Sequence, residues 1–282
     1  MDQEMTPQND AEIPQRRLAV LIDADNAQPS VVERLLAEVA KFGVASVKRI
    51  YGDWTSTNHT QWKLSLLKHS ISPVQQFAYT KGKNATDCSL IIDAMDLMYT
   101  QRFDGFCLVS SDSDFTRLAQ RLREEGLLVL GFGEQKTPDS FVAACDKFVY
   151  TEVLRPDAVG TKSDRLSNKK ASRSNPVPTA LPKANSDAVP ANGEGAKAVE
   201  LPIDLINQAI DGASDDSGWA HLGGVGTLLT KLRPDFDSRL YGSKKLSDLL
   251  KKYPDMFELE ERGLPGASSK AIYVRATYSA DK

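Results

Sequence analysis

The sequence predicts an α/β protein: a mostly parallel sheet with helices on both faces, followed by a flexible linker and a small winged helix-turn-helix domain. Three observations carry this. Short apolar runs alternate with helical patterns between residues 17 and 154, the arrangement that gives parallel sheets. Residues Arg155–Val199 change character to Pro, Ala, Ser, Asn, Gly and Lys without an apolar period, as linkers do. Beyond them, three short helical patterns precede two segments able to pair as a hairpin, which is the winged form of helix-turn-helix.

Leu18–Ile22 is continuously apolar, the mark of a strand buried on both faces. Pro29 suits a first helical position, and Val31, Leu35, Leu36 and Val39 recur at helical spacing. Ser46–Tyr51 is a second strand. Trp62, Leu64, Leu66 and Leu67 mark a short helix, and Val74–Tyr79 is extended. Asp87–Thr100 is helical, with Leu90, Ile91, Ala94, Leu97 and Met98 on one face. Phe106–Val109 is a strand, Phe115–Arg123 a helix and Leu127–Phe132 a strand. In the second domain, Leu201–Ile210 and Trp219–Leu232 hold helices, and a third opens at the N-cap candidate Ser243. Phe257–Leu259 and Ala271–Val274 form the wing. The resulting divisions are a disordered start (1–16), an α/β domain (17–154), a linker (155–199), a winged-helix domain (200–276) and a tail (277–282).

Composition narrows the function. With 41% hydrophobic and 26% charged residues the chain has globular content, and its net charge of −3 carries no global basic signature. Nucleic-acid contact therefore has to come from local patches. Cys88, Cys107 and Cys145 are isolated in apolar contexts, which speaks for a reducing, cytoplasmic setting and against disulfides or a CxxC zinc site. His59, His69 and His221 share no ligand spacing. Met1–Pro14 has no apolar run, so no signal peptide is expected. No apolar stretch approaches the ~20 residues of a membrane span.

Three acidic stations stand in order along the α/β pattern. Asp23 ends the run Leu18–Ile22 and is followed by Asp25 and Asn26. Asp87 follows Lys81-Gly-Lys-Asn-Ala-Thr, with Asp93 behind it. Ser110-Ser-Asp112-Ser-Asp114-Phe115 follows Phe106–Val109. Two stations thus sit where a buried strand stops, the ligand-binding edge of a parallel sheet. Asp23 comes too early to cap the helix at Pro29; for Asp25 and Asn26, capping and function stand equally open. Helix geometry puts Asp87 over Leu90, Ile91 and Ala94, on the inward face and at the N-terminus, where the dipole tolerates a carboxylate. Asp93 is at the margin of that face, and Asp96 points to solvent. One of Asp112 and Asp114 is available as a cap, and Phe115 packs beneath the turn. Lys81 and Lys83, at the lip of this acidic pocket, are either solvated or phosphate-holding. Converging carboxylates repel unless a cation neutralises them, and an all-oxygen donor set suits Mg²⁺ or Mn²⁺.

These motifs resemble the three signatures of NYN domains, PIN-like three-layer metal-dependent ribonucleases, and are most similar to the bacterial LabA-like branch. The resemblance runs from Arg17 to Val153. It implies Asp23, Asp87, Asp112 and Asp114 as catalytic metal-binding residues, with Asn26, Asp93 and Asp25 in support. The third signature often carries Gly where Ser111 stands, a small-for-small change. His221-Leu-Gly-Gly-Val and Arg233-Pro-Asp-Phe-Asp-Ser-Arg239-Leu-Tyr241-Gly242-Ser-Lys-Lys-Leu246-Ser-Asp248-Leu-Leu resemble the OST-HTH or LOTUS domain, which implies binding of RNA or of a protein partner. Independently, Arg239, Lys244, Lys245, Lys251 and Lys252 place five cations in fourteen residues against Asp248 alone, either an RNA-binding patch with Tyr241 or a solvated helix face. The linker holds eight basic and four acidic residues; it is a solubilising tether or one that grazes a phosphate backbone.

The expected reaction is hydrolysis of single-stranded RNA by metal-activated water, and no histidine stands in the motifs to act as a base. Two rivals remain. The Asp23-Ala-Asp25 pair is similar to that of haloacid-dehalogenase phosphatases, with Asp23 as covalent nucleophile, although Asn26-Ala27 departs from that pattern. The other is an RNA-binding adaptor without turnover.

Overall fold

A computed structural model describes residues 15–55, 60–77, 85–155, 200–263 and 270–277. In the first part six strands form one parallel sheet: β1 (Arg17–Asp23), β2 (Val44–Gly52), β3 (Ser72–Gln75), β4 (Gly105–Val109), β5 (Leu128–Gly133) and β6 (Lys147–Tyr150), in the order β3-β2-β1-β4-β5-β6. Five helices accompany them: α1 (Val32–Val39), α2 (Trp62–His69), α3 (Ala85–Tyr99), α4 (Thr116–Glu124) and α5 (Asp139–Ala143).

Alternation along β1 sorts the layers. Leu18, Val20 and Ile22 face a core shared with Val31, Leu35 and Trp62, so α1 and α2 cover that side. Ala19 and Leu21 face the other core, with Leu90, Ala94, Leu118 and Phe141 from α3, α4 and α5. Parity therefore turns Asp23, the last residue of β1, toward α3.

The expected elements appear with small boundary changes. Pro29 opens a 3₁₀ turn, Pro29–Val31, ahead of α1, and Ser113–Phe115 forms another ahead of α4. The segment expected at Val74–Tyr79 is β3, which starts earlier; Ala78 and Tyr79 lie outside the described residues. Neither α5 nor β6 was expected from periodicity.

The second part holds α6 (Ile203–Asp211), β7 (Ala220–His221), α7 (Leu222–Leu232), α8 (Leu246–Leu250), β8 (Phe257–Gly263) and β9 (Lys270–Ala276). The wing strands pair antiparallel in the order β7-β9-β8. Ile206, Val225, Leu229, Leu249 and Val274 fill its core. Ser243 is not the N-cap of α8: Lys245 holds that position without a side-chain bond, while Ser243 is buried. A bend at Lys244 and Lys245 separates them, so the serine falls two residues short of the cap position. No helix among the described residues is long and apolar enough to cross a membrane.

Candidate metal centre

The strand order reverses at β1. From it the chain builds outward through β2 to β3 on one side, then returns to β4 on the other and continues to β5 and β6. The crevice outside the carboxyl ends of β1 and β4 is thus a topological switch point, where open α/β sheets bind ligands. Asp23 closes β1, and Ser110–Asp114 leave β4 at this crevice.

Asp87, Asp112 and Asp114 bring one carboxylate oxygen each within 4.8 Å of the others. Asp87 lies in the first turn of α3. Asp112 is the N-cap of the Ser113–Phe115 turn, its Oδ1 accepting from the Asp114 amide at 2.9 Å. Phe115 is 1% exposed and its ring packs on Phe141 at 6.4 Å between centroids, which anchors the turn beneath the carboxylates. Burial, and then repulsion from Asp23, Asp112, Asp114 and Asp25, push the Asp87 carboxyl up to about 6. A site that resists its own ionisation has negative charge in excess. Hard oxygen donors and surplus negative charge fit a divalent cation such as Mg²⁺.

Asp23 stands apart from that trio. It is 1% exposed, and its carboxylate is taken up by the chain itself. Oδ1 accepts from the Asp25 amide at 3.0 Å, and Oδ2 accepts from Asn26 Nδ2 at 2.6 Å and Ser110 Oγ at 2.9 Å. Burial raises its pKa, against the lowering effect of those three donors. So enclosed a carboxylate is poorly placed to attack a substrate as a nucleophile, which weighs against the phosphatase alternative. Asn26 is bound to Asp23, and Asp25 is exposed at the rim.

Ser110 joins the two strand ends. Its hydroxyl donates to Asp23 and accepts from the Asp112 amide at 3.1 Å. Ser111 is 7% exposed and accepts from the Glu134 amide at 2.8 Å, fixing the tip of β4 to the end of β5. The serine at this position therefore has its own structural use. Sequence reasoning had registered both serines only as small; the hydroxyls were the available signal.

Asp93 is engaged away from the trio. It accepts from the Arg49 guanidinium and from the Tyr51 hydroxyl, both on β2. Tyr51 is fully buried and pairs in register with Asp23. Burial and the Asp93 carboxylate hold the Tyr51 hydroxyl far above the usual tyrosine range. This triad pins α3, and so Asp87, against the sheet.

Of the residues expected to contact RNA, Lys81 and Lys83 lie outside the described residues. Lys244, Lys245, Lys251 and Lys252 are exposed, and Lys252 donates to the Gly242 carbonyl at 2.9 Å. Arg239 and Tyr241 are turned to other partners: Arg239 pairs with Asp237 and Glu38, and Tyr241 packs against Phe236 with ring centroids 5.9 Å apart.

Comparison with known proteins agrees with these features. The NYN domain profile matches residues 17–154, and the OST-HTH/LOTUS domain profile matches residues 197–267. An uncharacterized protein of Nitrosomonas europaea, solved by NMR, is 44% identical over 36% of this chain and 97% of its own, with a TM-score of 0.29. A protein of unknown function from Vibrio parahaemolyticus is 18% identical over 48% of this chain and 93% of its own, with a TM-score of 0.41. An NMR structure of residues 175–257 of a Chromobacterium violaceum protein is 31% identical over 30% of this chain and 90% of its own, with a TM-score of 0.24. No curated protein matches the chain. The chain is a NYN-domain protein, an α/β domain of PIN-like nuclease fold followed by an OST-HTH/LOTUS domain.

Proposed function

We propose that this protein is a metal-dependent ribonuclease that hydrolyses phosphodiester bonds of single-stranded RNA, with its C-terminal domain binding RNA or a protein partner. The observation that carries the reading is the meeting of Asp87, Asp112 and Asp114 at the switch point of the sheet, their ligand atoms within 4.8 Å of one another. Mg²⁺ or Mn²⁺ is the expected ion, held by these three carboxylates with Asp23 close behind. Bound there, the ion would lower the pKa of a coordinated water and stabilise charge on the phosphoryl oxygens.

The chain's own residues supply the positioning. Asp112 holds the Ser113–Phe115 turn, so the Asp112 and Asp114 carboxylates keep a fixed spacing. Ser110 sets that turn against Asp23. The Asp93 bonds to Arg49 and Tyr51 tie α3, which carries Asp87, to β2. Lys81 and Lys83, next to Asp87 in sequence, are suited to holding RNA phosphates, as are Lys244, Lys245, Lys251 and Lys252 in the second domain.

The test is cleavage of end-labelled single-stranded RNA with Mn²⁺, Mg²⁺ or EDTA, wild type beside Asp112→Asn and Asp114→Asn. Cleavage that needs the ion and is lost in both variants is expected. A wild-type protein that binds RNA without cutting it under any ion would leave the adaptor reading standing instead.

A further inference from the structure

β6 is one of the two edge strands of the six-stranded sheet, with β3 at the other end. An uncovered edge offers unpaired backbone groups to any other chain. Here the edge is covered from within. Pro234–Arg239, the segment after α7, lies along β6 and across to the end of α1. The Phe148 amide donates to the Pro234 carbonyl at 3.0 Å, and Lys147 Nζ donates to the Phe236 carbonyl at 2.8 Å. The Tyr150 hydroxyl donates to Asp235 Oδ2 at 3.1 Å. One backbone bond and two side-chain bonds thus hold the strip against the outer edge of β6.

The charges show the same fit. Glu38 occupies the last turn of α1, where the helix dipole disfavours an acid, and it is only 8% exposed. It is matched from both sides, by Lys41 at 2.8 Å and by the Arg239 guanidinium. Arg239 is itself held by Asp237, Nε to Oδ1 at 3.0 Å and Nη2 to Oδ2 at 2.6 Å. Asp235, 7% exposed, is paired with Arg233 at 3.0 Å on its own side and with Tyr150 across the joint. Burial draws the Lys147 ammonium below the usual lysine range. Opening the joint would take the Phe236 carbonyl from Lys147 and one of two partners from each of Glu38, Arg239 and Asp235, a costly loss for charges so enclosed.

We propose that Pro234–Arg239 is a docking strip that closes the β6 edge and joins the two domains into one body, so that Arg239 serves the joint and not an RNA backbone. The strip meets the sheet two strands from β4, and among the described residues it leaves Asp114 exposed at the crevice. Docking fixes how the cations at Lys244, Lys245, Lys251 and Lys252 are oriented to that crevice without blocking it. The proposal stands whatever chemistry the crevice performs.

The experiment is ¹⁵N relaxation and amide exchange on the full chain, with Glu38→Arg, Arg239→Glu and the double swap. In the wild type, amides of residues 17–154 and 200–276 should share one tumbling time, and the Phe148 amide should be protected although its acceptor lies in the other domain. Each single reversal should separate the tumbling times and speed Phe148 exchange at least roughly tenfold, about 1.4 kcal/mol; the double swap should recover only part of both, because the swapped charges still face Lys41 and Asp237. Glu38→Gln and Arg239→Gln carry the same comparison if a reversal fails to fold. Independent tumbling in the wild type, or a Phe148 amide that exchanges alike in wild type and variants, would overturn the proposal.

Discussion

Replacing Asp93 by alanine tests whether the triad behind the carboxylates holds α3 in place. Two bonds are lost. The Arg49–Asp93 ion pair is partly wet, with the two side chains 34% and 23% exposed, so it contributes about 1 kcal/mol after solvent screening. The Tyr51 hydroxyl is enclosed on a fully buried residue and loses a bond to a charged acceptor, about 2 kcal/mol. The sum is about 3 kcal/mol, a large part of the 5–15 kcal/mol typical of a domain. With a urea slope of about 1–3 kcal/mol/M, the midpoint should fall by roughly 1–3 M. Tryptophan fluorescence in a Trp219→Phe background confines the signal to Trp54 and Trp62 of the first domain. Tyr51→Phe should cost about 1–2 kcal/mol, and its effect should largely vanish once Asp93 is gone. A midpoint shift below about 0.3 M for Asp93→Ala at unchanged slope would refute the triad's role and leave α3 held by its apolar face alone.

Three other outcomes follow from the geometry. Gly131→Ala would place a methyl carbon 2.4 Å from Phe148 Cδ2 and 2.7 Å from Cys145 Sγ, so the melting temperature should fall by roughly 4–8 °C, about 2 kcal/mol of overpacking; a shift under about 1 °C would mean that Phe148 moves aside freely. Asp87→Asn should stabilise the metal-free protein at neutral pH. A carboxyl raised to about 6 in the fold costs stability as pH rises from 3.8 toward 6, so the amide should raise the melting temperature by roughly 2–4 °C at pH 7, after discounting for solvent screening, and by nothing near pH 3. Replacing Lys244, Lys245, Lys251 and Lys252 with Gln should weaken RNA binding and flatten its salt dependence, since fewer counterions are released; an unchanged affinity and salt slope in a filter-binding assay would mark these lysines as a solvated face.

Much of the frame was legible in the residues because β1 and β4 are buried on both faces. Leu18–Ile22 and Phe106–Val109 have no polar side to hide them, and each ends abruptly in the acids that line the crevice. The order of strands was not legible: nothing local in Phe106–Val109 says that it returns beside β1. That return is what brings Asp112 next to Asp87. The short β6 begins with Lys147, whose ammonium donates to the Phe236 carbonyl 89 residues away, a contact that leaves no mark in the local pattern. Asp23 reads in sequence as a fourth ligand and Asp93 as a supporting residue, because nothing local tells one carboxylate's partners from another's. Their partners Ser110, Asn26, Arg49 and Tyr51 separate them from the trio, and the longer links are visible only after folding. Arg239 belonged to a cationic run by composition and to Glu38 by geometry.

Direct titration of the protein with Mn²⁺, followed by the loss of the free-ion EPR signal, tests the central claim most closely. Wild-type protein should bind the ion, and the variant carrying Asp87→Asn, Asp112→Asn and Asp114→Asn should lose at least one site while its amide spectrum stays folded. A wild-type chain that leaves the free Mn²⁺ signal unchanged, or a triple variant that binds as many ions as wild type with the same affinity, would contradict the assignment of these three carboxylates as the metal centre.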